Sequence, residues 1–165
     1  GGRAAAWSDG HDPARSRVVA DAGVLAADLL VGGASRDVLD TVRAHSWLEL
    51  VATEQLLDDT ETVVGALADP DLAADWRSVI ADLVVLVEQP AGDHPALAAA
   101  HRGDAAHVVS LDDRLTSVEA GANLKGTLEA SVRSPDAFRA IVDPATLHEL
   151  AFDEPYFGPD RNPRA

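Results

Sequence analysis

Two aspartates stand where a short apolar run gives out: Asp21 after Arg17-Val18-Val19-Ala20, and Asp112 after His107-Val108-Val109-Ser110-Leu111. Short runs rich in β-branched residues read as strands. Open α/β sheets bind ligands outside the carboxyl ends of their strands, so both side chains are expected in one crevice. Two more acids can join them from helices, Asp59 after Thr53 and Asp93 just before the helix that Pro95 opens. Four carboxylates brought together repel one another, and a hard divalent cation relieves that repulsion. Mg²⁺ prefers oxygen ligands, keeps several waters and suits phosphate chemistry.

The residues around these acids each have a chemical reading and a plainer one. Ser110 and Arg114 flank Asp112 and are candidates for substrate contact, Arg114 through a phosphate; a surface ion pair is the simpler role for Arg114. Asp113 can assist Asp112 or simply favour the dipole at a helix start. His94 can touch a phosphate or start its helix, and His107 can ligate a metal or pack in the sheet. Trp47 and Trp76 can stack on bases, or fill the core as tryptophans more often do.

The elements that must position these residues alternate between strand and helix patterns, the mark of an α/β fold. Strands are predicted at 17–20, 48–52, 84–87 and 107–110, with an edge strand at 126–132. Helices are predicted at 24–31, 35–44 with Ser35 as cap, 53–69 with Thr53 as cap and Pro70 as stop, and 71–82. Further helices are expected at 95–101, 113–120, 135–142 and 144–150, three of them with Pro in the first turn. Residues 1–15 read as a flexible arm, 16–150 as one domain, and 151–165 as an extended tail whose Phe152, Tyr156 and Phe157 among prolines suit docking.

Composition narrows the setting. There is no Cys, so disulfides and thiolate metal sites are excluded. No stretch approaches the roughly 18 apolar residues that span a bilayer, and the first fifteen lack the apolar centre of a signal peptide, so a cytoplasmic location without membrane partners is expected. Asp plus Glu number 28 against 13 Lys plus Arg, a net charge of −15, and Lys125 is the only lysine. This balance resembles that of proteins from salt-loving organisms. It also lacks any basic run to hold nucleic acid, so an RNA substrate would depend on metal ions to offset the acids and on a few Arg for steering.

Five blocks together resemble the PIN-domain family of metal-dependent nucleases. Val18-Val19-Ala20-Asp21-Ala22-Gly23-Val24-Leu25 is similar to its opening, where hydrophobics lead to Asp, a Thr-Asn-like pair and Val-Leu. Thr53-Glu54-Gln55-Leu56-Leu57-Asp58-Asp59 looks like its Ser/Thr cap followed by a helix acid, usually Glu. Asp58, Asp59 and Glu61 are all candidates for that acid; Asp59 fits the spacing from Thr53 best. Asp93-His94-Pro95-Ala96-Leu97-Ala98-Ala99-Ala100 resembles the Asp-x-x-x-Leu-x-x-Ala block, and Val108-Val109-Ser110-Leu111-Asp112 the hydrophobic-Val-Thr-Gly-Asp strand end. Ser134-Pro135-Asp136-Ala137-Phe138 looks like the closing Pro-x-x-Phe segment, so the likeness covers roughly residues 17–142.

The resemblance implies a three-layer α/β/α sandwich on a central, mainly parallel sheet, with the Asp21 and Asp112 strands as neighbours. It implies Mg²⁺- or Mn²⁺-dependent hydrolysis of phosphodiesters in single-stranded RNA. Asp21 and Asp112 would be direct ligands, Asp93 a ligand directly or through water, and Asp59 an acid that orients water. Many small PIN proteins are toxins of toxin–antitoxin pairs, so an antitoxin, another protein or a second copy are the partners implied. Gly23 replaces the family's usual Asn and Leu111 its usual Gly; these departures favour the alternative of an interaction module without catalysis.

Self-repulsion at −15 opposes the compact state in dilute buffer, whereas at about 1 M salt the Debye length is only ~3 Å and the repulsion is screened. The thermal midpoint, followed by calorimetry, is expected to rise by many degrees between dilute buffer and molar KCl. A flat or falling midpoint would assign the acidity to a basic partner instead.

Overall fold

The computed structural model describes residues 14–88, 94–116 and 130–163. In chain order these residues form β1 (Ala14–Ala20), α1 (Ala22–Leu30), α2 (Gly33–Ala44), β2 (Glu49–Ala52), α3 (Glu54–Leu67), α4 (Pro70–Ala81), β3 (Val84–Leu86), α5 (Pro95–Arg102), β4 (Ala105–Val109), α6 (Asp113–Thr116), β5 (Ser131–Arg133), α7 (Pro135–Ile141) and α8 (Pro144–Phe152). The five strands make one sheet in the order β3-β2-β1-β4-β5. Every pairing in it is parallel. Successive residues Val18, Val19 and Ala20 of β1 are all buried, as are Leu50, Val51 and Ala52 of β2. Because neighbouring side chains of a strand point to opposite faces, such runs require cover on both sides. The helices supply it, giving a three-layer α/β/α sandwich with β1 at its centre. No helix among the described residues is long and apolar enough to cross a membrane.

Local chemistry sets the element ends. Thr53 Oγ1 accepts the Leu56 N–H at 3.1 Å and caps α3, as its sequence position suggests. Ser35 does not cap α2. The helix starts two residues earlier, behind Gly32 at φ 92°, and Ser35 is buried inside it. The left-handed backbone at Gly32 and Gly33 is open to glycine at little steric cost, which permits the tight turn from α1 to α2. Pro70 opens α4 behind an Asp69 cap, α3 having already closed at Leu67. β1 begins at Ala14, inside the expected arm, and β5 overlaps the end of the expected edge strand. Positions 1–13, 117–120 and 126–129 of the expected arm, helix and strand lie outside the described residues.

Two polar contacts tie the helical layers. Asp28 of α1, only 4% exposed, receives both terminal nitrogens of Arg43 from α2. A carboxylate that deep is costly to bury alone, and removing one partner of such a pair typically costs about 3–5 kcal/mol. The segment after α8 folds back on the body. Asp160 and Arg161 donate their backbone N–H groups to Ala44 O at 2.9 and 3.0 Å, satisfying a carbonyl at the end of α2. His45 Nδ1 donates to Thr41 O at 2.7 Å, so its Nε2 accepts from the Tyr156 hydroxyl at 2.6 Å when the ring is neutral. Trp47 packs edge-on against His148 and Phe152 and so anchors α8.

His107 of β4 is packed edge-on against Phe138 of α7. Both ring nitrogens are buried, and neither meets a partner in good hydrogen-bond geometry among the described residues. Burial, helped by the charge of Arg133, pushes the imidazole from 6.5 to about 4. The unfolded chain therefore takes up this proton first as pH falls. Stability is expected to drop by ~3 kcal/mol between pH 6.5 and about 4 from this one group, and no further below that. Urea unfolding of the wild type and His107→Leu across that window checks it. An equal pH slope in the variant would show that another group carries the effect.

Candidate functional site

The acid crevice is built from the β1–β4 register. Val18, Val19 and Ala20 lie opposite His107, Val108 and Val109, and the pairing continues through Asp21 N–H to Val109 O at 2.9 Å. Asp21 is thus fixed at the carboxyl edge, where it is also the N-cap of α1. Its Oδ1 accepts the Ala22 N–H at 2.8 Å, and its Oδ2 accepts the Ser110 hydroxyl at 2.8 Å. Ser110 is fully buried, and its own N–H donates to Arg133 O of β5 at 2.9 Å. The same hydroxyl oxygen accepts the Asp112 N–H at 3.0 Å. A hydroxyl has one proton, so Ser110 must aim it at Asp21 while it holds the backbone of Asp112.

Asp112 then starts α6, its carbonyl accepting from Leu115 and Thr116 at 3.0 and 3.2 Å. Its Oδ1 accepts from the Arg114 backbone N–H at 3.0 Å and from Nε at 3.2 Å, and its Oδ2 from the guanidinium at 3.1 Å. The Arg114 side chain, then its backbone N–H, holds the Asp112 carboxyl below the usual range, so it is ionised at neutral pH. Asp113, exposed at the first turn of α6, stands where a helix favours an acid. His94 caps α5 by accepting the Ala96 N–H on Nδ1 at 3.1 Å. Because α5 runs back across the sheet between the parallel strands β3 and β4, its amino end lies at their carboxyl edge.

The remaining expected residues fall as follows. Asp93 lies outside the described residues. Asp59 projects from α3 and accepts Gln55 Nε2 at 2.7 Å. Asp58 and Glu61 turn to Arg77 of α4, at 2.8 and 3.1 Å, and Glu54 joins them there. Among the described residues, no three acids or histidines are gathered to hold an ion. Ser110, a candidate for substrate contact, spends its hydroxyl inside the protein instead. Arg114 makes the ion pair with Asp112, yet its side chain is 90% exposed. Trp47 precedes β2 and Trp76 lies on α4 before β3, so both stand away from the acids, toward the amino end of the parallel sheet. His107 packs as described above.

The donor set suits a hard cation. Asp21 and Asp112 offer oxygen only, and the Asp112 side chain is 28% exposed, within reach of a hydrated ion. Mg²⁺ is commonly held by one or two carboxylates and keeps the rest of its shell as water and phosphate oxygens, so two described acids are enough to start such a site. The two substituted positions meet here. A Cβ built on Gly23 would lie 3.9 Å from Leu111 Cβ, an ordinary contact, and Leu111 is 53% exposed. Gly23 also borders an apolar groove of about 490 Å³ between α1 and α3, lined by Ala27, Leu30, Val63 and Leu67.

No curated protein and no solved structure matches this chain. Among protein families, residues 12–164 match the one described as Family of unknown function (DUF7384). The match takes in every described strand and helix, together with the crevice they build, and the chain belongs to that family.

Proposed function

We propose that this protein is a PIN-like, Mg²⁺- or Mn²⁺-dependent endoribonuclease that hydrolyses phosphodiesters of single-stranded RNA. The observation that carries the reading is the Asp21–Ser110–Asp112 chain at the carboxyl ends of two adjacent central strands. Asp21 and Asp112 would hold the ion, with Asp93 as a third ligand directly or through water. The bound ion would lower the pKa of a water and stabilise charge on the phosphate. Ser110 positions the Asp21 carboxylate, leaving lone pairs on both oxygens for a ligand. Arg114, exposed beside Asp112, supplies a cation that can transfer from the carboxylate to an arriving phosphate. Asp59 would orient water from α3. Hydrolysis joins the water oxygen to phosphorus and releases the leaving oxygen of the next nucleotide.

A second reading, a PIN-like interaction module without catalysis, is favoured by the apolar groove that begins at Gly23 and by half-exposed Leu111 beside it. The groove suits a protein partner such as an antitoxin, and a second copy of the chain is the alternative occupant.

Single-stranded RNA should be cut slowly in Mn²⁺ or Mg²⁺ at high salt, and not in EDTA. Asp112→Asn, which keeps the shape but removes a ligand charge, should lower the rate at least ~100-fold, whereas Asp113→Asn should change it little. High salt weakens phosphate contacts, so KM is expected to be high. Metal binding without cleavage of RNA under any salt condition would overturn the nuclease and leave the interaction module.

A further inference from the structure

A second concave site lies toward the amino end of the sheet, away from the acids. It is a cleft of about 440 Å³ between α4, the end of α2 and the returning tail. Trp76, Val79, Ile80 and Leu83 form its apolar wall, and Arg43 and Arg161 its polar side. No acid is among the residues that line it, although the whole chain carries −15. This volume falls in the usual range of small-molecule sites, which combine an apolar lining with a few polar groups.

The two guanidinium groups differ. Arg43 is matched by Asp28 and Asp40, so its charge is already answered. Arg161 gives its terminal nitrogen to two carbonyls, Val42 O at 3.2 Å and His45 O at 3.0 Å, and has no carboxylate within ion-pair distance among the described residues. Asp160, its neighbour in sequence, directs its carboxylate to the Ser46 N–H and hydroxyl. Asp160 feels the charge of Arg161 but makes no contact with its guanidinium, and Arg161 lines the cleft directly, so it places positive charge there. Trp76 is 7% exposed, and its indole N–H has no partner among the described residues. Its ring lines the cleft, so the indole N–H is a sensitive reporter of what packs against that wall.

We infer that this cleft binds a small molecule with a flat apolar body and one anionic group, an aromatic carboxylate being the simplest form. The ring packs on the wall that Trp76, Ile80 and Leu83 make, and the anion meets Arg161. Because Arg161 belongs to the tail, the ligand also fastens the tail to α2 and α4.

The test uses the full chain in high salt, ¹H–¹⁵N NMR of its indole N–H groups, and 1-naphthoate as probe, with 1-naphthylmethylamine as a cation of the same shape. The Trp76 resonance is identified by its loss in Trp76→Phe. Naphthoate should shift that resonance saturably and the amine should not. Arg161→Gln should weaken naphthoate at least ~10-fold, the loss expected for a charge-assisted contact. Val79→Glu, at a position 71% exposed and so harmless to folding, should also weaken it by placing a carboxylate at the mouth. Equal shifts from both probes, no saturable shift with naphthoate, or unchanged affinity in both variants would overturn the inference.

Discussion

The parallel pairing of β1 with β4 is the constraint on which the rest of the structure depends. Those two strands are far apart in sequence, and their register alone brings Asp21 level with the turn that carries Ser110 and Asp112. A slip by one residue would turn each side chain to the other face and break the Ser110 bridge. The register has its own support at the amino end. Arg17 of β1 donates to Gly103 O at 2.8 Å, just before β4, while its Nε meets Glu49 of β2 at 3.1 Å. Gly103 itself must be glycine. A Cβ there would sit 2.3 Å from Val51 Cγ1 and 2.9 Å from Ala99 O, so any side chain would force the end of α5 away from β2.

Charge shapes the outer layers in the same way. With few cations to share, single arginines serve several acids at once. Arg77 holds Glu54, Asp58 and Glu61, and so joins α3 to α4; Arg139 reaches from α7 to Asp37 of α2 while also meeting Asp136. Most of these contacts are exposed, where a single pair adds little stability. Their use is in spacing the acids. The cleft beside Trp76 departs from this pattern because two arginines and no acid line it.

Much of this architecture is legible in the sequence. The strand runs before Asp21 and Asp112, the Thr53 cap and the prolines that open α5, α7 and α8 are local signals, and local physics governs them. Boundaries were less legible. Ser35 has the chemistry of a cap, but the two glycines before it allow the helix to begin sooner, and the hydroxyl is buried instead. The role of Ser110 was hidden for another reason. Its two partners lie 89 and two residues away, and nothing in a linear sequence ties a buried hydroxyl to a carboxylate across the sheet. Spacing from Thr53 singles out Asp59, but it does not reveal that Asp58 and Glu61 pair with Arg77 on the next helix. The tail reads as a docking segment, and its contacts at Asp160 and Arg161 with Ala44 and Ser46 at the end of α2 are not legible in the sequence, while Phe157 stays exposed.

Asp21 and Asp112, locked together by Ser110, are proposed as the start of a divalent-cation site. Anomalous diffraction from crystals of the protein soaked in Mn²⁺ tests it most directly. One strong manganese peak is expected within bonding distance of carboxylate oxygens of both Asp21 and Asp112, absent in crystals of the Asp21→Asn variant. Peaks only at other acids, such as the Glu54 and Asp58 cluster, with none at this crevice, would contradict it.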